Sequence, residues 1–381
     1  MTRFFAIVFF VLLPFLVSEA QCVPADTLVP SPPVGKHEAS LNTIHDAAPC
    51  QPALGHGQPG INDSARVYPQ GLRQVVAAYR WLNRFFDTYD TAYVTGTGSH
   101  KKVTLKNQNW MDMYIGRLTS HRVPIRMNSN ITSFFGVHFS IYGIGAGYTF
   151  NLNDLITGKK SKNTRWDFSL TTSRVELDAY FSKDNSKVNV HRFGDYRSSA
   201  FQSIDFDGFK HEFYGLYGYY FFNNRRYCQS AAYSYSKIQK QSAGSFIAGL
   251  HLTHQDYGMD FTRLNDSLQG YLPDLRRDYR FRYRDYSFLL GYGYNWSFHR
   301  RWLLNVTGMS GVGYRHSFPN SIEGEKDMVS IYYRVKSGLL LNRRQFFYGL
   351  QLTTDAHLYH SRHHRFLSSS VNINFCTGFR F

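Results

Sequence analysis

The sequence predicts an all-β protein: a transmembrane, antiparallel, up-and-down β-barrel of ten to twelve strands, preceded by a short N-terminal amphipathic helix. Three observations predict it. In the last segment, Val371, Ile373, Phe375, Phe379 and Phe381 share one face of a strand, while Asn372, Asn374, Gly378 and Arg380 share the other, because side chains alternate with period two. The chain is 17% aromatic, with 28 Tyr and 32 Phe, yet its mean hydropathy is only -0.38. That combination suits a barrel, in which alternate residues meet lipid and two interfacial girdles are aromatic. Beyond the N-terminus, no apolar run approaches the roughly 20 residues of a membrane helix.

Residues 1–20 read as a secretory signal peptide. Arg3 precedes an uncharged apolar run from Phe4 to Val17, and Ser18-Glu19-Ala20 places small residues where a signal peptidase reads them. Cys22 does not make a lipoprotein site, because the preceding Gln21 is bulky and polar. Residues 21–69 have no sustained periodicity and hold Pro24, Pro30, Pro32, Pro33, Pro49, Pro52 and Pro59. They read as a flexible periplasmic leader. Across residues 70–87, Leu72, Val75, Val76, Tyr79, Leu82 and Phe86 recur at helical spacing, flanked by Arg73, Arg80 and Arg84. The expected helix closes the barrel base or, alternatively, lies against the inner leaflet, lodges in the barrel mouth or binds a periplasmic partner.

Residues 103–381 read as the barrel. Tyr286, Phe288, Leu290, Tyr292, Tyr294, Trp296 and Phe298 alternate with Ser287, Gly291, Gly293, Asn295 and Ser297. A face this apolar needs a cover; little amphipathic helix exists to supply one, and lipid does. The pattern returns in Val329, Ile331, Tyr333, Val335, Leu339 and Leu341, and again in Phe346, Tyr348, Leu350, Leu352, Ala356 and Leu358. Three strand ends run into polar, arginine-paired reversals at 222–226, 298–301 and 341–344. Counting back from a periplasmic C-terminus makes these periplasmic turns, and puts the connections 183–207, 255–280 and 318–327 outside. The tightest count gives ten strands; twelve result if 227–254 folds back near Lys240. An open porin-type channel takes about 16 strands, so a narrow or filled lumen is expected.

The terminal aromatic strand resembles the signal by which barrel-assembly machinery recognises outer-membrane proteins, with Cys376 where that signal often has glycine. Three further stretches are similar to the Bacteroidota outer-membrane family known as domain of unknown function 4421. They are Asp87-Thr88-Tyr89-Asp90-Thr91-Ala92-Tyr93 before Trp110, then Tyr235-Ser236 through Gln239-Lys240-Gln241-Ser242-Ala243-Gly244-Ser245, and Gly291-Tyr292-Gly293-Tyr294. The resemblance spans roughly Phe85 to the C-terminus. It implies an outer-membrane barrel of a gut-type or oral anaerobe and brings no activity, ligand or catalytic residue.

Four scattered cysteines build neither a disulfide framework nor a metal cluster. Cys22 and Cys50 either pair or stay as thiols, and Cys228 and Cys376 are expected in strands. His251 and His254 lie three apart, which on a strand sends them to opposite faces. His357, His360, His363 and His364 cluster near an outer loop without an acidic or cysteine ligand, so no metal site is expected. His138 with Ser140, and His251 with Thr253, share inward faces, but no nucleophile motif accompanies them. Asp87 and Asp90 form a paired-carboxylate candidate that helix capping or a strand-entry turn explains equally well. The chain is therefore read as a non-enzyme without a cofactor, an outer-membrane hydrolase being the least favoured role.

Forty-three Lys and Arg against 27 Asp and Glu give a net charge of +16. After export nucleic acid is not the expected partner; membrane lipid and lipopolysaccharide are. Two roles follow. One is a narrow or plugged barrel for binding or passage of small solutes, anions among them, at inward Arg334, Lys336, His357 and Arg380. The other is a non-transporting structural or surface-interaction barrel whose rim residues Arg276, Arg277, Arg280, Arg282 and Arg284 meet lipopolysaccharide or a partner.

Overall fold

A computed structural model describes residues 88–381 except 100, 119–122, 142–143, 154–163, 186, 198–202, 265, 267–276, 320, 322–324, 344 and 362–363. The ranges read as signal peptide, leader and amphipathic helix lie outside the described residues, as do Cys22, Cys50, Asp87, Arg276 and His363.

The two-residue alternation becomes strands because each has one side toward lipid and one toward the lumen. β2 (Lys101–Leu118) pairs along its length with the last strand, β18 (Arg365–Arg380). β3 (Val123–Ser129) and β4 (Thr132–Ile141) are two lengths of one strand, both laddered to β2. β5 (Ile144–Asn151), β6 (Thr164–Thr171), β7 (Val175–Asp184) and β11 (Phe209–Phe221) continue the wall. β13 (Ala243–Asp260), β14 (Asp278–Phe298), β15 (Trp302–Ser317), β16 (Asp327–Arg343) and β17 (Phe346–His360) lead to β18. With β3 and β4 taken as one, twelve antiparallel strands form the wall among the described residues, and no ladder bond joins β5 to β6 there. The tighter count of ten fails because the break at Asn130 and Ile131 and the eight-residue β5 and β6 interrupt the alternation.

The connections differ between the two ends. Those at 142–143, 172–174, 299–301 and 344–345 are short, whereas 152–163, 185–208, 261–277 and 318–326 are longer. Short turns mark the periplasmic end. In the connection 185–208, β8 (Val188–Phe193), β9 (Tyr196–Arg197) and β10 (Ile204–Phe206) build outward from the wall, with β8 laddered to β3.

One periplasmic connection corrects the sequence reading. The turn at 222–226 does reverse the chain, with the Tyr227 amide donating to the Asn223 carbonyl at 2.9 Å. It leads inward, however, rather than directly to the next wall strand. Residues 227–235 are uncharged and rich in small and aromatic side chains, so they bury. They form α1 (Gln229–Tyr233), and then β12 (Lys237–Gln239) pairs with β1 (Val94–Gly96). Cys228 is therefore the N-cap of α1 and not a strand residue.

The outward rows are apolar and open, with Phe246 70%, Leu250 59% and Phe288 53% exposed. The interior is filled. An aromatic cluster including Tyr114, Phe209, Tyr257, Phe281 and Phe366 occupies the outer end, and Ala231, Ala232, Tyr235 and Phe347 occupy the periplasmic end.

Candidate functional site in the barrel lumen

The periplasmic plug is held by its own backbone. Asn295 Nδ2 donates to the Cys228 carbonyl at 2.9 Å, Gln351 Nε2 to the Ala232 and Tyr233 carbonyls at 3.3 and 3.2 Å, and Arg380 Nε to the Tyr235 carbonyl at 3.1 Å. Lys102 donates to the Ser234 carbonyl. At the C-terminal end these lumen side chains take up carbonyls that so short a helix leaves without intrahelical partners, while the Cys228 carbonyl also accepts from the Ala231 amide at 3.3 Å. Tyr233 donates to Asn305 Oδ1 at 2.7 Å, and Tyr235 stacks on Phe347 and meets Cys376. Burial pushes the phenols of Tyr227, Tyr233 and Tyr235 well above the ordinary tyrosine range.

Two wall glycines admit the plug. A Cβ at Gly293 would lie 2.4 Å from the Tyr227 hydroxyl, and one at Gly349 would lie 2.7 Å from that of Tyr235. At the mouth, the Asp90 amide donates to the Arg225 carbonyl at 2.7 Å, Arg226 lies over Tyr93, and Lys237 over Tyr89. Asp90 also caps its own turn, accepting from the Ala92 amide at 2.9 Å. All three stretches that carry the family resemblance thus take part in one structure, the plug and its seat.

Above the plug is a charged layer. Lys336 Nζ donates to Glu176 Oε1 at 2.6 Å and lies 3.9 Å from Asp178. Arg334 reaches Asp178 at 3.3 Å and Asp355 at 3.6 Å, donates to the Tyr219 hydroxyl at 2.9 Å, and covers the Tyr217 ring. Two cations therefore face three carboxylates. The Tyr332 hydroxyl donates to Asp355 and lies 3.1 Å from that of Tyr217, and the Tyr180 hydroxyl meets His251 Nε2 at 3.0 Å. Farther out, Arg315 Nε and Nη2 both donate to Asp285 Oδ2, at 3.0 and 2.9 Å, and the guanidinium lies over the rings of Tyr283 and Tyr359, which meet at an angle. Fully buried guanidinium is stable only with such compensation.

Of the lumen residues singled out in the sequence, Arg334 and Lys336 meet at Asp178, and His357 lies against Tyr332 and His251. Arg380 instead holds the plug. His251 faces inward and His254 outward, where it stacks on Tyr214. Thr253 donates to the Tyr214 carbonyl at 3.2 Å, so its hydroxyl is turned to the wall. His364 packs on Phe281 in the outer cluster, away from His357. Arg280, Arg282 and Arg284 lie on the outward face of β14, and the Arg277 carbonyl accepts from the Phe261 amide at 2.8 Å. Sequence reading missed Glu176, Asp178, Asp285 and Arg315. The signal available was Glu176 and Asp178 two apart on one strand face, a costly pair unless cations meet it.

A lipid-facing wall around a packed interior with paired charges defines a transmembrane outer-membrane-type β-barrel protein. The chain belongs to the family described as Domain of unknown function (DUF4421), whose model matches residues 88–381. Comparison with curated proteins finds no match. Among solved structures, the chain is similar to the Escherichia coli outer membrane protease OmpT, at 6% identity and a TM-score of 0.37, covering 75% of this chain and 98% of that one. The β domain of the Bordetella autotransporter BrkA gives 8% and 0.26, covering 73% and 99%. The Pseudomonas putida toluene transporter TodX gives 9% and 0.22, covering 74% and 90%.

Proposed function

We propose that this chain is a closed, non-transporting outer-membrane barrel that acts through its surfaces as a structural or surface-interaction protein. The observation that carries this reading is the pairing of Arg334 and Lys336 with Glu176, Asp178 and Asp355. An anion-selective path needs unmatched cations along the lumen; here carboxylates already occupy them, below an aromatic layer and above a plug. Export through a cleaved 1–20 segment, and delivery of β18 to the assembly machinery, complete the proposed route to the membrane.

Swelling of proteoliposomes in iso-osmotic small sugars and small organic anions tests the reading. The expected result is no swelling above protein-free vesicles. Swelling with anions that is lost in Lys336→Met would support solute passage instead.

A further inference from the structure

The outward row of β14 changes character at one point. Arg280, Arg282 and Arg284 are followed on the same face by Tyr286, Phe288, Leu290, Tyr292, Tyr294 and Trp296. At the change, Tyr286 stacks with Tyr314 on β15, at 6.4 Å between ring centres. Aromatic rings at strand level mark the edge of the hydrocarbon layer. β14 has 21 residues, against the roughly 9–11 that span a bilayer, so its first turns of chain project beyond that edge. The guanidinium groups stand where lipid headgroups begin.

Their arrangement is constrained. Arg282 and Arg284 both lie on the face of Phe318, at 4.9 and 5.2 Å from its centre, and His254 meets the same ring at 5.5 Å. The Phe318 amide donates to the Arg282 carbonyl at 2.9 Å, and the Arg282 amide to Ser321 Oγ at 3.0 Å, which ties the loop to the strand. Asp256 is bidentate on Arg280 at 3.0 and 2.7 Å and reaches Arg282 only at 3.7 Å. Among the described residues, Arg284 has no carboxylate partner. The nearby acids are engaged elsewhere: Glu212 with Lys183 at 3.4 Å and Asp327 with His316 at 2.8 Å. Two like charges are thus gathered on one ring with a fraction of one counter-charge, an arrangement that an anion with several oxygens stabilises.

We infer that Arg282 and Arg284, braced by Phe318, form a docking site for a headgroup phosphate of a phosphorylated outer-leaflet glycolipid of the lipopolysaccharide type. This inference rests on the reading of the chain as a surface-acting outer-membrane barrel. Arg280, neutralised by Asp256, positions the strand end rather than the phosphate.

The test is lipid retention by the full chain in nanodiscs containing phosphorylated lipopolysaccharide, its enzymatically dephosphorylated form, or phospholipid alone. Retention is read by mass spectrometry after detergent exchange. The parent is expected to retain the phosphorylated glycolipid about tenfold more strongly than the dephosphorylated one, and Arg282→Gln/Arg284→Gln to lose that preference, while Arg280→Gln keeps it. Folding of each variant is followed by heat-modifiable gel mobility, and Arg282→Lys/Arg284→Lys, which keeps the charge without the fork, is expected to be intermediate. Equal retention of both glycolipids by the parent, undiminished preference in the Gln pair, or full competition by equimolar inorganic phosphate overturns the site. Swelling is measured on proteoliposomes of the same purified variants, so an open lumen and a failed lipid site are separately visible.

Discussion

Lys336 on β16 reaches across the lumen to Glu176 on β7, with Nζ and Oε1 2.6 Å apart. Four wall strands, β11, β13, β14 and β15, separate the two in sheet order. The bond therefore ties opposite sides of the barrel, and it does so where both groups are withdrawn from water.

Removing one partner strands a buried charge. Glu176→Gln or Lys336→Met alone is expected to destabilise by about 3–5 kcal/mol, whereas the double change Glu176→Gln/Lys336→Met is expected to be milder than either. Urea unfolding from lipid vesicles, run as a double-mutant cycle, checks this. Additive losses would mean the pair is not coupled.

Arg315 combines two donors on one Asp285 oxygen with contact to the faces of Tyr283 and Tyr359. Lysine keeps the charge but has neither the fork nor the plane, so Arg315→Lys is expected to lose about 2 kcal/mol or more. The same unfolding assay reads it, and a loss within error would argue that the forked bond and the ring contacts contribute little.

Three plug-facing glycines should respond differently. At Gly349 a Cβ would meet Cys376 and Tyr235 at 2.7 Å, and at Gly293 it would meet Tyr227 at 2.4 Å, whereas at Gly338 the nearest atom lies at 3.5 Å. Gly349→Ala and Gly293→Ala are therefore expected to lose about 1–3 kcal/mol through overpacking, and Gly338→Ala to be tolerated. Limited proteolysis from the periplasmic side should cut within 222–242 faster in the first two variants only.

The plug tyrosines make stability alkaline-sensitive. Their folded phenols are held above the usual range by burial, while the unfolded chain titrates near about 10. Their contribution is complete below that pH and falls as pH rises through the raised folded values, because only the unfolded chain then releases the proton. Unfolding midpoints should drop above about pH 10. The drop should be smaller in Tyr235→Phe, and phenolate absorbance should lag behind that of the denatured chain.

The wall was legible in the sequence because lipid imposes its demand on every second residue, as the row from Tyr286 to Trp296 illustrates. The inward placement of Arg334, Lys336, His357 and Arg380 follows from the same parity. Their partners are another matter: Lys336 and Glu176 are 160 positions apart, and parity alone gives a side chain's face but not which strand stands opposite. The plug was hidden for a different reason. Residues 227–235 carry no period, and a segment shaped to the inside of a barrel needs small and aromatic side chains rather than an alternating row.

Planar-bilayer recording of the purified, refolded chain tests the closed lumen most directly. Steady baseline current is predicted at both polarities, for the parent and for Glu176→Gln alike, since the outer aromatic layer remains. Reproducible unitary current steps from the parent, selective for anions and altered by Lys336→Met, would contradict it.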